Sequence, residues 1–189
     1  KALHVLDSLQ PIAMDTISIN EHVSVNVSGI GFDGHIASLF GKNGKRGLAG
    51  YTKLTVKEFM RFQEFASRVE LDGEKTQSKN FIVAIANSSQ FGNNARIAPQ
   101  ASVCDEWLDI CLVKKVPLSH SIGFARKMFT GNLHQSRFVT IYKAKQAHLQ
   151  FDKPLPYHID GEPQEPQQDF RVSVVPRSLM VMVPANAAV

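Results

Sequence analysis

The chain has 189 residues, 43% of them hydrophobic and 20% charged, which is enough apolar material for one core of ordinary domain size. That excludes a disordered or collagen-like chain, and apolar runs such as residues 82–86 fall far short of the roughly 18 residues a membrane-crossing helix needs. Lys plus Arg outnumber Asp plus Glu by 21 to 17, a surplus of +4 that favours phosphates or anionic lipid surfaces and is too small to imply nucleic acid.

The chain opens on Lys1 rather than Met, with Leu3, Leu6 and Leu9 at helical spacing and no signal-peptide pattern, and it reads as a piece of something longer. Its two cysteines, Cys104 and Cys111, exclude a disulfide framework and point to a cytoplasmic setting. Residues 17–27 alternate apolar and polar side chains, which predicts strand with a turn at Asn20-Glu21-His22. Asp33 then N-caps a short helix marked by Ile36, Leu39 and Phe40. Lys42, Lys45 and Arg46 among Gly41, Gly44 and Gly47 read as a solvated loop, and residues 54–62 as a second helix. Asp72-Gly73 signals a hairpin with a short return strand, and residues 81–86 a strand buried on both faces.

Residues 87–101 are rich in turn formers, and a long loop of that kind usually serves function. Residues 107–113 predict a strand and residues 118–129 a helix stopped by Gly131. Short strands follow at 138–142, 147–151, 157–159, 170–175 and 179–183. Ten or more mostly antiparallel strands with two or three short helices make a mainly β, α+β chain. The expected fold is an antiparallel β-sandwich with a few short helical inserts, one domain over residues 1–189.

Gly29, Gly31 and Gly34 spell G-x-G-x-x-G after a predicted strand, but a dinucleotide unit needs a parallel strand returning within about 30 residues, and none follows. The seven histidines show no zinc spacing, and no G-x-S-x-G elbow exists. In Asp160-Gly161-Glu162, Gly161 permits a tight backbone course that presents Glu162 outward. Glu162 could then accept a proton from an alcohol while Asp160 orients a neighbour or a metal; the same residues also read as a plain turn. Residues 98–109 deliver carboxylates just before a strand, either as a structural loop or as a hard-oxygen setting for Mg²⁺. The apolar side chains of the 118–129 helix suit either a packed core or an acyl chain.

Three blocks in order, residues 26–33, residues 86–94 leading to 97–101, and Asp160-Gly161-Glu162-Pro163, resemble the C-terminal domain of the diacylglycerol kinase-like lipid kinases, the group of bacterial lipid kinases, sphingosine kinases and ceramide kinases. The resemblance implies a C-terminal β-sandwich like that of NAD kinase and diacylglycerol kinase-like proteins. It closes a cleft against an N-terminal α/β domain whose Gly-Gly-Asp-Gly-Thr nucleotide loop is absent from this chain. It implies Glu162 as general base with Asp160 beside it, Gly161 among the cofactor contacts, and Asp105 with the backbone oxygens of Ser102 and Trp107 around a bracing Mg²⁺. Glu106 departs from the family, which usually has Gly there. The partners so implied are ATP, Mg²⁺, a lipid with a free hydroxyl, the missing N-terminal domain and a transient membrane surface, with a homodimer left open and the isolated chain inactive. The competing readings are an NAD kinase-like domain acting on a ribose hydroxyl, although that family's Gly-Ser-Thr-Ala-Tyr type segment is absent, and a non-catalytic β-sandwich binding module.

Overall fold

The computed structural model describes residues 9–43 and 48–184, and the side chains among them outside 41–43 and 48–54. Leu3, Leu6, Lys45 and Arg46 lie outside the described residues, as does the Lys42 side chain; Leu9, expected at helical spacing, instead opens a strand. In chain order come β1 (Leu9–Ile19), β2 (His22–Ser24), β3 (Val27–Gly31), α1 (Phe32–Asn43), α2 (Leu48–Arg61), β4 (Phe65–Leu71), β5 (Glu74–Asn80), β6 (Ile82–Ala86) and β7 (Leu108–Val113). Then follow α3 (Leu118–Phe129), a 3₁₀ turn (Leu133–Gln135), β8 (Val139–Ala144), β9 (Gln146–Ile159) and β10 (Glu162–Pro184).

Every pairing among these strands is antiparallel, in the order β2-β1-β10-β9-β3-β6-β7-β8, with β4 and β5 branching from β9. The branch point turns the strand network into two facing layers. The first half of β9 pairs β4, from Ala147 opposite Leu71 to Phe151 opposite Ser67, whereas its last residues pair β3, Tyr157 with Ile30 and His158 with Gly29. Between the layers lies a core to which Ile17, Ile30, Val69, Ile85, Ile110, Leu149 and Phe170 contribute. On the outer face of β3, β6 and β7, a second cluster of Val27, Ala84, Ala86, Cys111 and Val113 is roofed by Ile97, Ala98, Phe124 and Met128. Strands β3 and β7 are consequently buried along their whole length.

Two predicted strand pairs fuse: 147–151 and 157–159 are both part of β9, and 170–175 and 179–183 are both part of β10. Pro154 and Pro156 lie where the β9–β10 register shifts on either side of Gln167, and Pro176 lies where the β1–β10 register shifts between Val175 and Leu179, so they interrupt pairing without ending the strand. The return strand β5 is seven residues, as long as β4, where a short one was expected. It pairs only with β4, and that edge position explains a polar sequence which hides its strand character.

The three glycines of the G-x-G-x-x-G run serve packing. Gly31 has φ +101 at the turn from β3 into α1, and a Cβ there would meet the Phe65 ring at 2.4 Å. A Cβ on Gly34 would lie 2.4 Å from Tyr157 Cα and 2.5 Å from the Pro156 carbonyl oxygen, so α1 lies directly on the β9 backbone. Phe32, Phe59, Phe62 and Phe81 then lock α1 and α2 against the sheet, with the Phe32 and Phe81 rings stacked at 4.6 Å. Gly34→Ala cannot be relieved by a side-chain rotation, because the obstructing atoms are backbone, and it should cost at least about 3 kcal/mol. Urea unfolding of the variant measures this, and a stability equal to wild type would show that α1 is not seated as described.

Candidate active site

Ile159 pairs with Glu162 across a two-residue turn in which Asp160 has φ +50 and Gly161 φ +94. Both residues in the left-handed region make this the hairpin turn whose twist matches the flanking strands, and Asp-Gly is a preferred pair for it. The Asp160 carboxylate is fully engaged. Its Oδ1 accepts from Ser24 Oγ at 2.7 Å and from Asn26 N at 3.0 Å, and its Oδ2 accepts from Val25 N at 2.7 Å. Asp160 N donates to Ser28 Oγ at 3.3 Å and Ser28 Oγ donates to Ser24 Oγ at 2.9 Å, so a closed ring of hydrogen bonds runs from the Asp160 amide back to its own carboxylate. Ser24 and Ser28 are buried. Asp160 thus anchors the segment between β2 and β3, with both of its oxygens engaged by that segment.

Glu162 is exposed at the first position of β10, and its side chain enters no hydrogen bond or ion pair among the described residues; its main-chain oxygen accepts from Gln164 Nε2 at 3.2 Å. Two carboxylates separated by one glycine therefore have opposite fates, one consumed by the fold and the other free at the surface. Gly161 offers no free amide to a phosphate, because its N–H donates to His158 Nδ1 at 3.1 Å. What the position requires is its backbone conformation.

His158 heads the block that ends in Glu162, but the sequence assigns it no role because a single histidine in a strand carries no spacing signal. With Nδ1 occupied as an acceptor, the neutral ring carries its proton on Nε2, which faces Asp33 Oδ2 at 3.5 Å. That oxygen has no hydrogen-bond partner and is buried, while Asp33 Oδ1 accepts from Gly34 N at 2.9 Å. Gly29 makes the arrangement possible, since a Cβ there would stand 1.7 Å from Asp33 Oδ2. Asp33 lies within the first turn of α1 rather than at its N-cap, and its unbonded oxygen faces the His158 ring beside the turn that carries Glu162.

The three sequence blocks meet at this end of the molecule. Asn87 N donates to Asn26 O at 2.9 Å, Ser88 Oγ donates to Asn26 Oδ1, and Asn87 Nδ2 donates to Val25 O at 3.1 Å and to Asp15 O at 2.8 Å. Asp15 is wholly buried and ties this cluster to the next loop: its Oδ2 accepts from Glu106 N at 2.7 Å, its Oδ1 from Arg177 N at 2.8 Å, and its own N–H donates to Val103 O at 2.7 Å. It occupies the bulge of β1, where the register with β10 slips between Met14 and Thr16. A lone Asp near the start of a strand gave the sequence reading no reason to select it.

Residues 26–183 match the family described as the YegS C-terminal NAD kinase beta sandwich-like domain. The chain belongs to this family. It is 24% identical over 92% of its length to a protein of Shewanella frigidimarina named "Probable lipid kinase YegS-like" and 23% identical over its whole length to one of the same name from Chromohalobacter salexigens. It spans 56% and 61% of these relatives. A crystal structure of a diacylglycerol kinase from Bacillus anthracis shares the fold with a TM-score of 0.68 over 95% of this chain and 56% of that one, at 15% identity. The chain thus carries a C-terminal domain of the YegS type, and the mostly antiparallel, sandwich-like architecture expected of it is the one observed.

The loop expected to brace a Mg²⁺ in this YegS-type domain holds a different cation. Asp105 Oδ2 is paired with Lys143 Nζ at 2.6 Å and Asp105 Oδ1 accepts from Trp107 N at 3.2 Å. Buried Asp109, directly across the ladder from Lys143, places its Oδ2 3.7 Å from the same ammonium. Burial pushes the Asp109 carboxyl up, against the pull of Lys143. Burial would lower the Lys143 pKa, but the hydrogen bond to Asp105 and the charges of Asp109 and Asp105 raise it overall. Ser102 enters only through its Oγ, which accepts from Cys104 N at 3.4 Å. No group of three or more His, Cys, Asp or Glu side chains that could hold a metal occurs among the described residues. With both its oxygens engaged and an ammonium on one of them, the Asp105 side chain does not fit a divalent ion as it stands.

Helix α3 follows neither of its two sequence readings completely. Phe124 and Met128 pack on the second core cluster, but Leu118, Ile122 and Phe129 stand 62%, 87% and 56% exposed. No described helix is long and apolar enough to cross a membrane.

Asp160→Asn keeps the shape and the left-handed tolerance of the turn while presenting an amide NH₂ to one of the three donors. It should cost about 2 kcal/mol by urea unfolding. An unchanged midpoint would mean that the ring does not hold the segment.

Proposed function

We propose that this chain is the general-base lobe of an ATP-dependent kinase that phosphorylates a lipid hydroxyl such as that of diacylglycerol, and that Glu162 is the base. The observation that carries this reading is an exposed carboxylate, free of side-chain partners among the described residues, on a turn whose position is fixed by Asp160 and His158. The relatives named as lipid kinases supply the substrate class, and ATP and its Mg²⁺ belong to a nucleotide lobe outside these residues.

In the reaction the substrate hydroxyl oxygen bonds to the γ-phosphorus of ATP, the bond from that phosphorus to the β,γ-bridging oxygen breaks, and ADP leaves with the bridging electrons. The hydroxyl proton passes to Glu162. Because phosphoryl transfer depends mainly on alignment and charge neutralisation, the carboxylate acts as much by orienting the hydroxyl as by taking its proton. A residue with this task must be rigidly mounted yet unpaired, and the saturated bonding of Asp160 beside the free side chain of Glu162 meets that demand. On this reading the lobe meets the bilayer that supplies its substrate, and the exposed face of α3 offers it apolar side chains.

The family description also mentions NAD kinase, so a ribose hydroxyl is the second acceptor to test. In the longer protein, Glu162→Gln should lower kcat by about 10²- to 10⁴-fold with little change in KM or thermal stability. Radiolabelled phosphate transfer to diacylglycerol and to NAD, measured side by side, distinguishes the acceptors. Wild-type turnover by the variant would remove Glu162 from the mechanism, and phosphorylation by residues 1–189 alone would overturn the two-lobe reading.

A further inference from the structure

The loop before β7 contains a cation of its own. Lys143 lies opposite Asp109 in the β7–β8 ladder, and its side chain reaches past it to Asp105. The ammonium therefore bridges a loop carboxylate at 2.6 Å and a buried strand carboxylate at 3.7 Å. The same loop is closed from the other side by the buried Asp15, which accepts from Glu106 N, and by Glu106 itself, whose φ of +61 is the conformation glycine adopts freely. Glu106 Oε1 in turn pairs with Arg177 at 3.2 Å. Every acidic side chain of residues 102–109 thus already has a basic partner from within the chain: Lys143 for Asp105 and Asp109, and Arg177 for Glu106.

We propose that the ammonium of Lys143 is the resident cation of this loop, replacing the divalent ion that such a loop would otherwise need, so that the domain folds and holds residues 102–107 in place without metal. Mg²⁺ takes a near-octahedral shell of oxygens about 2 Å away, waters among them, anchored by one or two carboxylates. Here it would have to displace Nζ from Asp105, and it would then face an adjacent positive charge that has Asp109 as its remaining anchor. A tethered ammonium gives a weaker, less directional neutralisation than Mg²⁺ but requires no ion from solution. Only this loop is involved. It is independent of the lipid kinase reading and of the Mg²⁺ that accompanies ATP in a nucleotide lobe.

Thermal unfolding of the whole chain in EDTA and in millimolar Mg²⁺ or Mn²⁺ tests it. The wild type should melt at the same temperature in all three solutions. Lys143→Met, which keeps the apolar stem and removes the charge, should melt lower in EDTA and recover part of the loss in Mg²⁺ or Mn²⁺ as the freed carboxylates take up the ion. Lys143→Arg, which keeps the charge, should show no response to metal, and it carries the test if the Met variant does not fold. A wild-type or Lys143→Arg chain that loses stability in EDTA and regains it in Mg²⁺ would overturn the proposal, as would a Lys143→Met chain indistinguishable from wild type in every solution.

Discussion

The site depends on the hydrogen-bond saturation of one carboxylate. Asp160 sits in a turn that requires two left-handed residues, and there its two oxygens receive three donors from Ser24, Val25 and Asn26. A carboxylate so occupied is spent as a chemical group, and the free energy of its bonds goes into positioning. The β2–β3 segment is held against the β9–β10 hairpin, and the hairpin against the β3 edge through His158 opposite Gly29. Glu162 inherits a fixed location without being used to create it.

The second constraint is steric. Gly29 leaves room for Asp33 to lie over β3, Gly34 lets α1 rest on the β9 backbone, and Gly31 turns the chain between them. Together they bring the α1 N-terminus to the ring of His158, whose other nitrogen receives the Gly161 amide. What looks like a dinucleotide fingerprint is here a device for packing a helix across an antiparallel strand, and the absence of a parallel partner for β3 is the physical reason.

Much of this was legible in the sequence where the signal was local. Alternation marked the strands within residues 17–27, helical spacing marked α1 and α3, and Asp-Gly marked both tight hairpins, because each of these depends on residues close together in the chain. The long strands β9 and β10 were read as fragments because prolines at interrupted ladder positions mimic strand ends, and β5 was underestimated because an edge strand needs few apolar residues. The candidate site was legible as three blocks but not as a network. Ser24, Ser28, Asp15 and His158 work through partners between 3 and 162 positions away, as with Gly161 for His158 and Arg177 for Asp15. Lys143 was invisible for the same reason: its role exists only once β8 pairs with β7 and carries an ammonium to the Asp105 loop, so a metal donor set inferred from residues 98–109 alone had no means of including it.

Amide hydrogen exchange at Val25 and Asn26 addresses the central claim most directly. Neither residue belongs to a strand, and each amide has the Asp160 side chain as acceptor, Val25 on one oxygen and Asn26 on the other. Both should be protected in the wild-type chain. In Asp160→Asn, Val25, facing the new NH₂, should exchange freely while Asn26 keeps its carbonyl acceptor and its protection. Exchange of Val25 at the rate of an open loop in the wild-type chain would contradict the account, because the turn bearing Glu162 would then be held by something other than Asp160.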